Sequence, residues 1–189
     1  MDPSPPAAER APHRPRGRGR LLGLLTAICV VVYSADQVTK ALALEFLDDG
    51  QPVEVIDGIL QLRLVFNPGA AFSIATGLTW LLTLVATVVV IVVIRIARRL
   101  GSRGWAVALG LLLAGALGNL TDRFVRPPGF ARGHVIDFVE LPNFPVFNVA
   151  DSSITVAAVL IVLLGLRGIG VDGRRDRSPE AAESGSARA

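Results

Sequence analysis

The chain has 189 residues, of which 51% are hydrophobic, and 19 Lys plus Arg against 16 Asp plus Glu give a formal net charge of +3. Because the apolar residues are collected in long runs, the composition excludes an ordinary soluble domain and indicates a membrane protein. The basic residues lie between and beyond these runs without aromatic residues among them, so they do not indicate a nucleic-acid-binding face.

Four apolar segments predict transmembrane helices, at residues 21–44, 78–96, 105–120 and 149–166. Each approaches the ~20 residues that a helix needs to cross a hydrocarbon core about 30 Å thick. The first segment follows a basic stretch, as in a secretory signal, but it continues past signal-peptide length without a small-x-small cleavage site. We therefore expect an uncleaved first helix. The single cysteine, Cys29, lies within it, which excludes an intramolecular disulfide and a cysteine-based zinc site.

The distribution of Lys and Arg predicts the orientation of these helices. The N-terminal tail, the connection 95–103 and the tail that begins at Arg167 together hold 14 of the 19 basic residues. We expect these three regions, and hence both termini, in the cytoplasm, and the connections 45–77 and 121–148 outside. Pro, Gly, Ser and charge dominate residues 1–20 and 168–189, so both tails are expected to be disordered around one membrane domain, residues 21–167.

The first outer connection contains a pattern typical of a β-hairpin. Residues 53–66, VEVIDGILQLRLVF, alternate apolar and polar side chains around Asp57-Gly58, a dipeptide suited to a type I′ turn. A small sheet at the membrane surface would bury Val53, Val55, Leu62 and Leu64 on one side. The second outer connection is rich in Pro and Gly and cannot form one long helix.

Polar residues gather at the outer ends of the predicted helices. Asp36 and Lys40 are four residues apart on one helix face, where they form either a structural ion pair or a part of an active site. The other clusters contain Asn67 and Gly69; Asn119, Asp122 and Arg123; Asp137; and Asn148 and Asp151. Purely structural polar groups would have no reason to collect on one side of the membrane, so this convergence indicates a site.

Three kinds of hydrolytic chemistry can be compared for that site. A zinc protease needs clustered His and carboxylate ligands, whereas His13 and His134 lie on opposite sides of the predicted membrane. A Ser–Lys protease would pair Lys40 with Ser34 or Ser73, but neither serine has an oxyanion-type loop around it. A carboxylate pair remains, since two aspartates that share a proton can act as acid and base on water. The spacing of Asp137 and Asp151 does not establish that they meet.

Five motifs resemble those of bacterial lipoprotein signal peptidase, also called signal peptidase II. They are DQVTK at 36, NPGAAFS at 67, GALGNLTDR at 115, VIDF at 135 and FNVADSS at 147, in the order and membrane positions of that family. The resemblance covers about residues 21–167. It implies a four-helix membrane protein with a small extracytoplasmic hairpin or sheet, and an aspartic endopeptidase that cleaves prolipoproteins before a diacylglyceryl-modified cysteine.

The resemblance also implies roles for individual residues. Asp137 and Asp151 would be the catalytic dyad, without a metal or other cofactor. The residues that bind substrate or support the dyad would be Asn67, Gly69, Asn119, Arg123, Asn148, Asp36, Lys40 and Asp122. The partners would be diacylglyceryl-modified prolipoproteins and membrane lipids, not nucleic acid, and the enzyme would lie in the bacterial cytoplasmic membrane with its active site at the outer face.

Two other classes of membrane protein have to be weighed against a peptidase. A small transporter or channel would distribute polar residues through the membrane depth, whereas the cytoplasmic halves of these segments are apolar. A non-enzymatic anchor or assembly factor would leave the outer aspartates without a shared purpose. Both classes fit the polar pattern less well than a peptidase does.

Overall fold

The computed structural model describes residues 17–48, 50–69 and 79–175. The elements in this part of the chain are α1 (Arg18–Phe46), β1 (Val53–Ile56), β2 (Leu60–Asn67), α2 (Thr79–Ala97), α3 (Arg103–Val125), β3 (Val135–Glu140) and α4 (Val149–Leu166). All four helices are long and apolar enough to cross a membrane. The predicted fold, four transmembrane helices with a small sheet, is therefore confirmed, and α4 has its predicted bounds.

Helix α3 lies at the centre of the bundle, where it packs against α1, α2 and α4. In its most apolar window 56% of the residues are buried inside the protein, against 17% in each of the other helices. Small residues allow this close packing. A Cβ on Gly118 would lie 2.5 Å from a carboxylate oxygen of Asp36, and one on Gly115 would collide with the backbone oxygen of Ala150. Alanine at either position would push α1 or α4 away from α3.

Two buried apolar clusters hold the two ends of the bundle. The first lies at the end where α1 and α3 begin and consists of Leu25, Val93, Ala97, Leu100, Ala106 and Leu109. The second lies at the other end and consists of Ala43, Leu47, Ile136 and Phe138, with Leu62 and Leu64 packed against it. The second cluster anchors the sheet to the bundle at the end where α3 finishes and α4 begins.

The sheet is antiparallel, with the strand order β1-β2-β3. Its register places Val65 of β2 opposite Asp137 and Asn67 opposite Val135. For the connection 121–148 the sequence predicted only that no single long helix forms, and the structure shows that six of these residues make β3. Strand β3 is what brings the VIDF motif beside the hairpin.

The hairpin turn differs from the predicted type. The Ile59 N–H donates to the Ile56 carbonyl at 3.0 Å, and Gly58 has a φ of 67°. Asp57 is not among the residues with positive φ. A type I′ turn needs positive φ at both central residues, so the type I′ prediction is wrong. Residues 57–59 form a three-residue loop that pairs Ile56 with Leu60.

The predicted buried face of the hairpin is only partly buried by the protein. Leu62 and Leu64 pack on the second apolar cluster. Val53 and Val55 are 47% and 53% exposed. The reason is that β1 is an edge strand that none of the described helices covers, whereas β2 lies between two strands and packs on the second apolar cluster.

The tail boundaries also differ from the prediction. Residues 18–20 already belong to α1, and residues 168–175 form a turn closed by a bridge between Ile169 and Arg175. This turn is fastened to the bundle, since the Trp105 Nε1 donates to the Ile169 carbonyl at 2.7 Å and the Gly101 N–H to the Val171 carbonyl at 2.9 Å. The predicted disorder of residues 1–16 and 176–189 lies outside the described residues.

Candidate active site

The two candidate catalytic aspartates lie on different elements and line one cavity. Asp137 is in β3, and Asp151 is in the first turn of α4. Asp137 is 1% exposed, and both side chains line a cavity of about 500 Å³. Asn148 contacts both, because its Nδ2 donates to Asp137 Oδ1 at 2.6 Å and its backbone N–H to Asp151 Oδ2 at 3.3 Å. The tertiary structure therefore gathers the two carboxyl groups around one asparagine.

Asp151 caps its helix, but capping occupies only one of its oxygens. The Asp151 N–H donates to Asn148 Oδ1 at 2.9 Å, and Asp151 Oδ2 accepts from the Asn148 N–H, which makes a reciprocal capping box. The second oxygen, Oδ1, accepts a hydrogen bond of 2.7 Å from Nδ2 of Asn119 on α3. A residue that only capped α4 would need no donor from a neighbouring helix. Asp151 is thus held by two helices at once.

Asp137 is a buried carboxyl group that receives two hydrogen bonds. Its Oδ2 accepts from Asn67 Nδ2 at 2.8 Å, and its Oδ1 accepts from Asn148. Burial raises the pKa of Asp137 from 3.8 to about 6, and the nearby charge of Asp151 adds to the rise, while the two amide donors and the Lys40 charge oppose it. Asp137 is therefore able to hold a proton close to neutral pH.

The orientation of each asparagine amide around the dyad is set by a group that can only donate. Asn67 Oδ1 accepts from the Gly69 N–H at 2.8 Å, and Asn119 Oδ1 accepts from Lys40 Nζ at 3.0 Å. Asn148 Oδ1 is held in the same way by the first turn of α4. With its oxygen occupied, each amide must turn its NH₂ group elsewhere, and all three NH₂ groups face a carboxylate of the dyad.

Lys40 lies at the centre of a buried ionic cluster next to this site. Its Nζ is 2.9 Å from Asp36 Oδ2 and 2.7 Å from Asp122 Oδ2, and all three side chains are fully buried. Arg126 Nε lies 2.6 Å from Asp122 Oδ1, so two cations balance two anions. Buried charges persist only when paired and hydrogen-bonded, a condition that this cluster meets.

The acids of this cluster also hold the backbone that carries the dyad. Asp36 Oδ1 accepts from the Ala150 N–H at 2.9 Å, one residue before Asp151. Asp122 Oδ2 accepts from the Ile136 N–H at 3.3 Å, one residue before Asp137. Asp36 therefore has both predicted roles, because it pairs with Lys40 and also holds the backbone beside Asp151.

Arg123 is a cation near the dyad that makes no ion pair in the described structure. Its Nη1 donates to the Asn119 backbone oxygen at 3.2 Å, and its Nε is buried without a hydrogen-bond partner. The guanidinium lies within electrostatic range of Asp137 and Asp151. Its charge therefore acts on both aspartates.

The apolar walls of the cavity were not identified from the sequence. They come from β2 and from the connection between β3 and α4, and include Phe66, Pro68, Phe144, Pro145, Val146 and Phe147. Phe144 and Phe147 pack edge to face with their ring centroids 5.6 Å apart. The sequence does contain an indication of these walls. The segment LPNFPVF joins the two aspartate motifs and is too apolar for an ordinary exposed loop.

One prediction about the site, its independence from metal, is not tested by the structure. Within residues 17–48, 50–69 and 79–175, no three His, Cys, Asp or Glu side chains come together as a potential metal site. His13 and residues 70–73 of the NPGAAFS motif lie outside the described residues. Independence from metal remains a prediction.

Comparisons with known proteins point to one family. The family model described as Signal peptidase (SPase) II matches residues 28–167. A lipoprotein signal peptidase of Rhodococcus jostii is 56% identical over 165 residues, which cover 87% of this chain and 83% of that protein. One of Leifsonia xyli is 48% identical over 182 residues, covering 96% and 84%. A bacterial membrane enzyme solved by the in meso method at 1.9 Å resolution is 32% identical, with a TM-score of 0.68 over 77% of this chain and 94% of that one.

Proposed function

The chain belongs to the lipoprotein signal peptidase family, membrane proteases that cleave signal peptides from prolipoproteins, and on that premise we propose that Asp137 and Asp151 are its catalytic dyad. The observation that carries the proposal is that both carboxyl groups line one cavity and both contact Asn148. A carboxylate pair able to share one proton is what an aspartic protease needs.

In the proposed reaction the dyad begins with one proton. Asp137 holds that proton, since burial favours its neutral form, and Asp151 acts as the base. Asp151 removes a proton from a water molecule, the water oxygen attacks the scissile carbonyl carbon, and Asp137 gives its proton to the carbonyl oxygen. The C–N bond then breaks as Asp151 delivers its proton to the nitrogen and the new hydroxyl group returns a proton to Asp137. The dyad ends in its starting state.

The neighbouring polar residues support this cycle in two ways. Asn67, Asn119 and Asn148 hold the two carboxyl groups in place with oriented NH₂ donors, and Gly69 fixes one of these amides. Preorganised donors of this kind lower the cost of reorganisation in the transition state.

Charged residues supply the remaining support. Asp36, Lys40 and Asp122 anchor the backbone on which the dyad lies. Arg123 stabilises the negative charge of the dyad through its own positive charge. No metal or other cofactor takes part in this scheme.

The substrate is proposed to carry a diacylglyceryl-modified cysteine directly after the scissile bond. The cavity walls are aromatic and aliphatic, and the dyad lies where the apolar helices end, so a lipid anchored in the bilayer reaches it from the side. The Arg-rich tails and the 95–103 connection support an orientation with both termini in the cytoplasm and the dyad at the outer face of the cytoplasmic membrane.

The test uses purified full-length protein and two versions of one prolipoprotein. The first carries the diacylglyceryl-modified cysteine, and the second has serine in its place. We expect a mass shift for cleavage before the cysteine with the first substrate and none with the second. Equal cleavage of both would refute the lipid requirement, and cleavage of either by an Asp151→Asn protein at near wild-type rate would refute the dyad.

A further inference from the structure

A group of arginines lines two neighbouring cavities at the end of the bundle opposite to the dyad. Helices α1 and α3 begin at this end and residues 168–175 fold back against it. The cavities have volumes of about 350 and 460 Å³, and Arg99 and Asp172 line both. Arg18 and Arg174 line the smaller cavity, and Arg95 lines the larger. Nothing in the proposed reaction uses this end of the protein.

The positive charge of these cavities is not balanced by the described residues. Among the lining residues that the structure describes, Asp172 is the one acid, and it already pairs with Arg174, whose backbone N–H donates to Oδ1 at 3.0 Å and whose Nε lies 3.6 Å from Oδ2. In the part of the chain that the structure describes, the guanidinium groups of Arg18, Arg95 and Arg99 make no ion pair.

One of these guanidinium groups also has an unmet hydrogen bond. Arg18 Nε is buried and has no hydrogen-bond partner within residues 17–48, 50–69 and 79–175. A buried cationic donor without an acceptor is costly, and the charge of an anion in the cavity would offset part of that cost.

The helix ends at this site add to its positive potential. Neither α1 nor α3 has an acidic residue in its first turn, and neither Gly17 nor Ser102 makes a side-chain cap. Gly17 and Gly101, which lie at these two helix starts, line the smaller cavity together with Arg18 and Arg99. The N-terminus of a helix carries partial positive charge, so two of them beside unpaired arginines favour an anion.

We propose that this arginine site binds the phosphate group of an anionic phospholipid. A phosphate accepts several hydrogen bonds at once and suits forked guanidinium donors. The site lies where the apolar helices end, the depth at which lipid headgroups lie, and basic pockets between transmembrane helices are suited to such headgroups. Leu21, Ile96 and Leu100 line the same cavities, so the glycerol and the upper acyl chain find apolar contacts. Free phosphate presents the same oxygens without the acyl chains.

The test measures binding to full-length protein in neutral detergent. The probes are phosphatidylglycerol, phosphatidylcholine with the same acyl chains, and inorganic phosphate, each titrated while the melting temperature is followed. We expect phosphatidylglycerol to raise the melting temperature and phosphatidylcholine to leave it unchanged. Arg99→Gln should lower the affinity for phosphatidylglycerol, so that roughly five times more lipid is needed for the same rise in melting temperature. This is the loss expected for one arginine near a lipid headgroup.

Arg98→Gln is the matched control, because Arg98 is exposed, adjacent in sequence and not among the lining residues of either cavity. It removes the same charge and should bind phosphatidylglycerol as the wild type does. Arg18→Gln serves as a second site variant, and unchanged melting temperatures without lipid show that each variant folds. If inorganic phosphate gives the same Arg99-dependent effect, the phosphate site stands and free phosphate is its ligand. Equal weakening by Arg98→Gln and Arg99→Gln, or equal effects of the two lipids, would overturn the proposal.

Discussion

Replacement of Asp137 by asparagine should change how the stability of the protein depends on pH. In the fold, burial raises the pKa of this carboxyl group from 3.8 to about 6. An acid whose pKa is higher in the folded state binds more protons folded than unfolded, so the protein loses stability as the pH rises from about 4 to about 6. Above pH 6 the full loss is present, about 3 kcal/mol at ~1.36 kcal/mol per pKa unit. Asparagine does not ionise, so the Asp137→Asn protein should lack this pH-dependent loss of stability.

The variant also has a cost that does not depend on pH. Both oxygens of Asp137 accept amide N–H groups, from Asn67 and Asn148, so the NH₂ group of an asparagine would face a donor. Such a mismatch costs about 1–3 kcal/mol. The informative quantity is therefore the change in melting temperature between pH 4.5 and pH 7.5, compared between the two proteins. Between pH 4.5 and pH 7.5 about 2 of these ~3 kcal/mol are lost, because the carboxyl group of the unfolded chain is already largely ionised at pH 4.5. For a chain of this length that loss corresponds to roughly 4–8 °C.

The assay is thermal unfolding in detergent, followed by tryptophan fluorescence at several pH values. The wild-type melting temperature should fall relative to that of Asp137→Asn as the pH rises through this range. Asp57→Asn is the control, since Asp57 is exposed in the hairpin turn and should keep the wild-type pH dependence. Parallel curves for wild type and Asp137→Asn would show that Asp137 is not held with a raised pKa, and the proton assignment in the proposed reaction would fail.

Four further predictions concern the site and its setting. Asp151→Asn keeps a capping oxygen but turns its NH₂ group toward the Asn119 donor, so it should cost about 1–3 kcal/mol of stability and ~10²–10⁴ of activity. Asp137→Asn should lose activity to the same extent, with the double variant little worse, and a folded, active Asp151→Asn protein would contradict this. Chelators should leave cleavage unchanged. Loss of cleavage in EDTA followed by recovery on addition of zinc would exclude the dyad mechanism. Asp36→Asn/Lys40→Met should lower kcat below that of Asp36→Asn alone, because only the double variant removes the Lys40 donor and leaves the Asn148 NH₂ group as the remaining partner of Asn119 Oδ1. Equal kcat values would contradict this. Reporter fusions at both tails should report a cytoplasmic location, and a fusion near Gly129 should report an external one. A C-terminus found outside the cell would contradict this topology.

The sequence by itself determined those features that depend on neighbours along the chain. The four helices follow from apolar runs of sufficient length, because the bilayer requires every backbone group to be bonded within its own segment. The cap of α4 is equally local, since Asn148 and Asp151 are three residues apart and helix geometry alone makes them meet. Asp36 and Lys40, at i and i+4, pair for the same reason.

The limits of sequence reasoning appear at the hairpin. Asp57-Gly58 placed the turn correctly, but its type depended on which residues pair across the strands. Strand β3 was missed because a strand at a sheet edge needs a partner, and its partner β2 lies about 70 residues earlier in the chain.

Only the tertiary structure decided how the polar motifs combine into one site. Asn67 reaches Asp137 across 70 residues, Lys40 reaches Asn119 across 79, and Asn119 reaches Asp151 across 32. Such contacts depend on how closely α1 and α4 approach α3, which the small buried residues of α3 set. Hydrogen bonds act over about 3 Å, whereas sequence patterns specify only which face of a helix is polar. The direction in which each asparagine amide points, and with it the placement of the dyad, is therefore a property of the packed bundle.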